Sequence, residues 1–119
     1  MALARVTAFN NLLRDIINLV SNKFPEDKDV AYTKSQIELA ISVSPRGTIS
    51  GFMKETKPYL EKILHKDEDF FLNMINDSKG LQGLAINDKW TYLNTVEKDR
   101  LWKNVQKMVV LGNKIMSED

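Results

Sequence analysis

The sequence predicts an all-α protein, a single irregular orthogonal bundle of five or six helices over residues 1–119. Three observations lead there. Apolar side chains recur at steps of three and four along almost the whole chain, the period of an amphipathic helix. The recurrence is punctuated by residues that stop or start helices: Phe24-Pro25, Ser44-Pro45, Pro58, Asp67, and the pair Asn94 and Glu97. The composition, 43% apolar and 28% charged, is that of a globular chain, and at 119 residues it can bury a core without disulfides or metal.

The first helix is read from Val6, Phe9, Leu12, Leu13, Ile16, Ile17 and Val20, with Arg14, Asp15, Asn18 and Asn22 off that face. It ends near Phe24, because Pro25 disfavours helical geometry in the residue before it. Phe24 is expected to fold back onto the core. The second helix runs from about Asp29, read as its cap, to Val43, with Ile37, Ala40 and Ile41 inward and a weaker apolar stripe. Ser44 then stands ready to cap a third helix. Pro45 takes its first position, where a missing N–H costs nothing.

From Ile49 through Phe52, Met53, Thr56, Tyr59, Leu60, Ile63 and Leu64, helical phase continues across Pro58. An interior proline costs about 3 kcal/mol, which favours a break or sharp kink there over one gently bent helix. Asp67, Glu68 and Asp69 ahead of Phe70, Phe71 and Leu72 mark a helix start. Asp67 accepts backbone N–H bonds, the other two carboxylates meet the positive end of the dipole, and Phe71, Met74 and Ile75 share a face. Residues 76–83, NDSKGLQG, read as an exposed loop. A further helix carries Leu84, Ile86, Trp90 and Leu93. The last begins near Asn94, where Asn94 and Glu97 have capping-box spacing. Its buried arc is Leu101, Val105, Met108, Val109 and Gly112, with Trp102 and Met116 at the edge, and residues 117–119 form a fraying tail.

The chemistry of the chain is sparse. It has no cysteine, which removes disulfides, thiol nucleophiles and thiolate metal sites and agrees with a reducing, cytoplasmic compartment. Its one histidine, His65, lacks a positioned partner in sequence and reads as a surface or helix-end residue. Glu26, Asp27 and Asp29, and again Asp67, Glu68 and Asp69, lack the alternating ligands and central glycine of a calcium loop. SPRGTIS, residues 44–50, is neither a nucleophile elbow nor a phosphate loop. Neither a signal peptide nor a membrane span is present in the N-terminal stretch, where charged and amide residues interrupt the apolar run. The reading is a non-enzyme with no cofactor and no metal.

Two surfaces are candidates for binding. Most of the aromatic side chains should be core, and any left on the surface is a candidate anchor for a protein partner, which makes Phe70, Trp90 and Trp102 the candidates. Adjacent Phe70 and Phe71 cannot share one helix direction, nor can Leu101 and Trp102, although a second core layer is the plainer reading of each pair. Arg100, Lys103, Lys107 and Lys114 fall in a narrow sector opposite the apolar arc of the last helix and form the candidate nucleic-acid contact. A net charge of +1 provides no overall pull toward a polyanion, so a solvated face is the plainer reading of that stripe.

The pieces Phe24-Pro25, Pro58-Tyr59, DEDFFL at 67–72, Trp90 with Leu93, and Leu101-Trp102 followed by Val105, Met108 and Leu111 resemble a group of small helical proteins of large nucleocytoplasmic DNA viruses, including those of algae. The resemblance implies no activity and no site residues. It implies a viral context: a minor virion component, or a protein acting on a host factor in the cytoplasm of the infected cell. The expectation is therefore a non-enzymatic interaction or structural protein binding a virion or host protein. Nucleic acid is the second choice, no membrane is involved, and self-association stays open.

Overall fold

Much of the helix punctuation is realised bond by bond. The computed structural model describes residues 3–77 and 81–118, the side chains of 75–77 and 118 excepted. The chain runs through α1 (Leu3–Lys23), α2 (Lys28–Val43), α3 (Pro45–Thr56), a 3-10 turn (Lys57–Tyr59), α4 (Leu60–Leu64) and α5 (Glu68–Asp77). A 3-10 turn (Gln82–Leu84), the one-turn α6 (Ile86–Lys89), a third 3-10 turn (Trp90–Tyr92) and α7 (Thr95–Glu118) complete it. No strand occurs among the described residues, and the bundle is irregular and all-helical as the sequence predicts.

Ser44 caps α3 by accepting the Gly47 N–H at 3.1 Å, with Pro45 in the first position. Asp67 caps α5 through the Phe70 N–H at 3.1 Å. Asn94 and Glu97 close both halves of a capping box: the Glu97 N–H donates to Asn94 Oδ1 at 2.8 Å and the Asn94 N–H to Glu97 Oε1 at 2.9 Å. Pro58 interrupts the helix in a 3-10 turn between α3 and α4. Lys66, in the left-handed region at φ 56°, ends α4 in a double reversal, with its own N–H on Ile63 O and the Asp67 N–H on Lys62 O.

Three expectations are corrected. Asp27, not Asp29, caps α2, its carboxylate accepting the Asp29 and Val30 N–H groups at 3.0 and 3.1 Å. Residues 84–93 do not make one helix, because Ala85 adopts a left-handed conformation at φ 48°, ψ 49°, which costs an L-residue about 1 kcal/mol. The break lets Leu84, Ile86, Trp90 and Leu93 all turn inward. Of the expected loop 76–83, residues 76 and 77 belong to α5, and 81–84 return to the body where Gly83 lies against Thr33; residues 78–80 fall outside the described residues. At the C-terminus α7 extends through Glu118, and of the expected tail residue 119 lies outside the described residues.

The antiparallel pair α1 and α7 forms the spine of the core. Lys23 Nζ meets Glu97 Oε1 at 3.0 Å at one end, and farther along Asn104 Nδ2 reaches Leu12 O at 3.4 Å and Asp15 Oδ2 at 2.7 Å. α3 crosses both. Gly112 of α7 admits Met53 of α3 and Phe9 of α1 so closely that a Cβ there would lie 2.6 Å from Met53 Sδ. The buried Asn10 ties α1 to α3, donating to Pro45 O at 3.1 Å while its oxygen accepts the Thr48 hydroxyl at 2.6 Å. No buried side-chain nitrogen or oxygen among the described residues lacks a partner, as expected of a settled core. The radius of gyration, 13.6 Å, equals the roughly 13.5 Å expected for one body of this length.

Candidate functional site

The three aromatic candidates separate on burial. Trp90 and Trp102 are only 4% and 5% exposed. Phe71, with no exposure, sits between them, its ring 5.9 Å from Trp90 and 4.4 Å from Trp102. The Trp90 indole N–H donates to Glu68 Oε1 at 2.6 Å, which satisfies the one polar group of the ring and allows the rest to lie inside. Leu101 and Trp102 are both buried, so this pair forms a second core layer and not a contact patch. The physical reason is coverage: α1, α3 and α4 all pack on α7, and its buried arc is about 160° wide, room for two adjacent large residues. Trp90 and Trp102 therefore serve the core and offer no ring to a partner in this conformation. Phe70 alone stays half-exposed, tilted against Tyr59 at 4.9 Å with Lys62 Nζ 5.1 Å from its ring centre.

The basic stripe of α7 divides as well. Arg100 is engaged by Asp15, with Nε donating to Oδ2 at 2.9 Å and Nη2 to Oδ1. The Arg100 hydrogen bond, helped by Asn104 and opposed by partial burial, holds the Asp15 carboxyl below its ordinary value, and Asp15 in turn raises Arg100. That cation is thus paired within the fold, although its side chain remains 56% exposed. Lys103, Lys107 and Lys114 are exposed, and none of the three forms an ion pair with a described carboxylate. At 3.6 residues per turn they lie within about 40° of one another and span about 16 Å along the helix.

Between these lysines the surface is apolar and concave. An open groove of about 450 Å³ is lined by Leu12 of α1 and by Lys103, Gln106, Lys107, Val110, Leu111 and Lys114 of α7. Val110 is 49% exposed, three residues past Lys107 and four before Lys114, so the helix itself sets an aliphatic side chain among the cations. Gln106 is held in place by donating to Ile63 O at 3.3 Å and Leu64 O at 3.2 Å. The pattern of lysines was visible in the sequence; the groove was not. Val110 in the polar sector was the one signal that could have revealed it.

His65 closes α4 at the surface, its N–H on Glu61 O. No group of three histidine, cysteine or carboxylate side chains converges as a metal site among the described residues. Asp27, one of the acidic cluster that follows Pro25, spends its carboxylate on the α2 cap and on Lys89 Nζ at 2.9 Å. No helix among the described residues is long and apolar enough to cross a membrane.

Fold and groove together define a small helical bundle with a shallow, lysine-lined apolar groove on its last helix. Compared with protein-family profiles, curated proteins and solved structures, the chain matches none.

Proposed function

We propose that the protein is a non-enzymatic binding domain that docks another protein on the outer face of α7. The observation that carries this reading is the composition of the groove. Three lysines without carboxylate partners among the described residues run in a line along α7, with the apolar side chains of Leu12, Val110 and Leu111 beside them. Exposed apolar side chains next to unpaired charges offer a partner both buried area and electrostatic complementarity. Nucleic acid is the alternative occupant of the same stripe. Two facts favour protein over it: Arg100, the residue best suited to phosphate, is committed to Asp15, and the floor between the lysines has little polar surface to offer a sugar-phosphate chain. The viral setting, with the partner a virion or host protein, rests on the sequence resemblance alone and is part of the proposal.

The test is affinity capture from the native source at low and high salt, comparing the wild type with a Lys107→Glu/Val110→Asp variant. A Tyr32→Asp/Leu39→Asp variant, which alters the exposed apolar line of α2, serves as the control. A protein that survives high salt, stays with the α2 variant and is lost by the α7 variant supports the reading. A partner indifferent to the α7 changes refutes it, and nucleic acid retained only at low salt turns the assignment to the alternative.

A further inference from the structure

Resting on that docking face, we infer that its occupant is an acidic amphipathic α-helix, with carboxylates at the spacing of the three lysines and aliphatic side chains between them. The groove is lined along α7 from Lys103 to Lys114, and Leu12 of α1 and Gln106, tethered to the end of α4, also belong to its lining. Its charged length of about 16 Å is three turns of helix. The described residues include no sheet edge, so an extended peptide would find no ladder to join, whereas a helix brings its own backbone bonds satisfied.

The charges fix the register. Lys103, Lys107 and Lys114 stand at i, i+4 and i+11, and a partner helix packed nearly parallel or antiparallel to α7 has the same rise per residue. Its carboxylates then fall at i, i+4 and i+11, or in reverse order at i, i+7 and i+11. An aliphatic residue between the widely spaced pair seats on Val110 and Leu111. Lysine serves such a face as a flexible point charge that meets a carboxylate oxygen from several directions, and since it meets phosphate equally well, the discrimination against a polyanion rests on the apolar side chains beside it. The net charge of +1 also leaves no long-range field for a polyanion, so the attraction is local to this face.

The experiment is a titration of the 15N-labelled full chain with a synthetic helix of about 18 residues, long enough to hold its fold, carrying leucines on one seam and glutamates at i, i+4 and i+11. Controls are a scrambled peptide of the same composition and a short DNA duplex. The expected result is amide shifts confined to Leu12 and residues 103–114. Affinity should weaken with salt and fall about 30-fold in the triple Lys→Glu variant, whose unchanged tryptophan fluorescence shows that it is folded. The scrambled peptide should bind at least about 10-fold more weakly, since equal charge without the apolar seam loses the floor. Equal binding of the scrambled peptide, tighter binding of the duplex, or shifts away from α7 overturns the inference. If the helix fails while capture from the native source still depends on Lys107 and Val110, the partner class is wrong and the docking face stands. If capture also ignores those residues, both fall.

Discussion

Gly51 and Gly112 sit inside helices that pack together, yet replacing each with alanine should shift stability in opposite directions. Alanine in a helix interior is favoured over glycine by about 0.5–1 kcal/mol, because glycine loses more backbone freedom on folding. At Gly51 an added Cβ meets nothing within 4 Å, so Gly51→Ala should realise that gain in full. At Gly112 the same carbon would lie 2.6 Å from Met53 Sδ, 3.0 Å from Met53 Cγ and 3.3 Å from Phe9 Cε2. Ordinary carbon contacts are about 3.5–4 Å, and both neighbours are buried, so neither can swing into solvent. Overpacking of this kind costs about 1–3 kcal/mol, with the flexible Met53 setting the lower end, and the propensity gain offsets part of it. Gly112→Ala should therefore lose about 1 kcal/mol, and the two variants should differ by about 2 kcal/mol. Urea titration followed by tryptophan fluorescence and far-ultraviolet circular dichroism measures both. A Gly112→Ala protein as stable as Gly51→Ala would refute the close approach of α7 to α3 and α1 that organises the core.

Two further perturbations test other parts of the fold. Phe71→Ala removes the ring between the two tryptophans and should cost about 3–5 kcal/mol while altering their fluorescence; a loss below about 1 kcal/mol would contradict the buried cluster. Acid should destabilise the protein through Asp15, Asp27 and Glu97, whose carboxyls are held below their ordinary values chiefly by Arg100, by Lys89 and by the Asn94 N–H respectively. With native pKa values depressed, their contribution is complete above the unfolded carboxylate range and is lost as pH falls through the lowered native values. Urea midpoints taken from neutral pH down to about pH 3 should decline less steeply in Asp15→Asn than in the wild type, and identical slopes would remove Asp15 from the account.

The function proposed for the chain rests on a contrast between cations of the same helix. Arg100 and Lys103 are three residues apart, yet one is paired with Asp15 and the other faces solvent beside Val110 and Leu111. Composition cannot distinguish them. The aromatic candidates illustrate the same difficulty from the other side: ring size made Trp90 and Trp102 candidate anchors, but Phe71 and Glu68 of α5 receive Trp90 and the broad cover of α7 encloses Trp102.

Features whose partners lie within a few residues could be read from the chain alone. The caps at Ser44, Asp67 and Asn94, the interruption at Pro58, the inward faces of α1 and α7 and the all-α class belong to this group, because a cap, a proline or a helical period acts over one or two turns. Tertiary packing chose the rest. Ala85 bends left-handed because Leu84 and Ile86 on either side of it are both drawn into the core, and Asp27 takes the cap while also holding Lys89, a residue remote in sequence. The groove likewise exists only where Leu12 meets α7 across the antiparallel pair, and Arg100 is withdrawn from it by a carboxylate 85 residues away. Local chemistry specifies helices and their ends; which of their charges remain free, and what apolar surface lies beside them, depends on distances that form only when the helices pack.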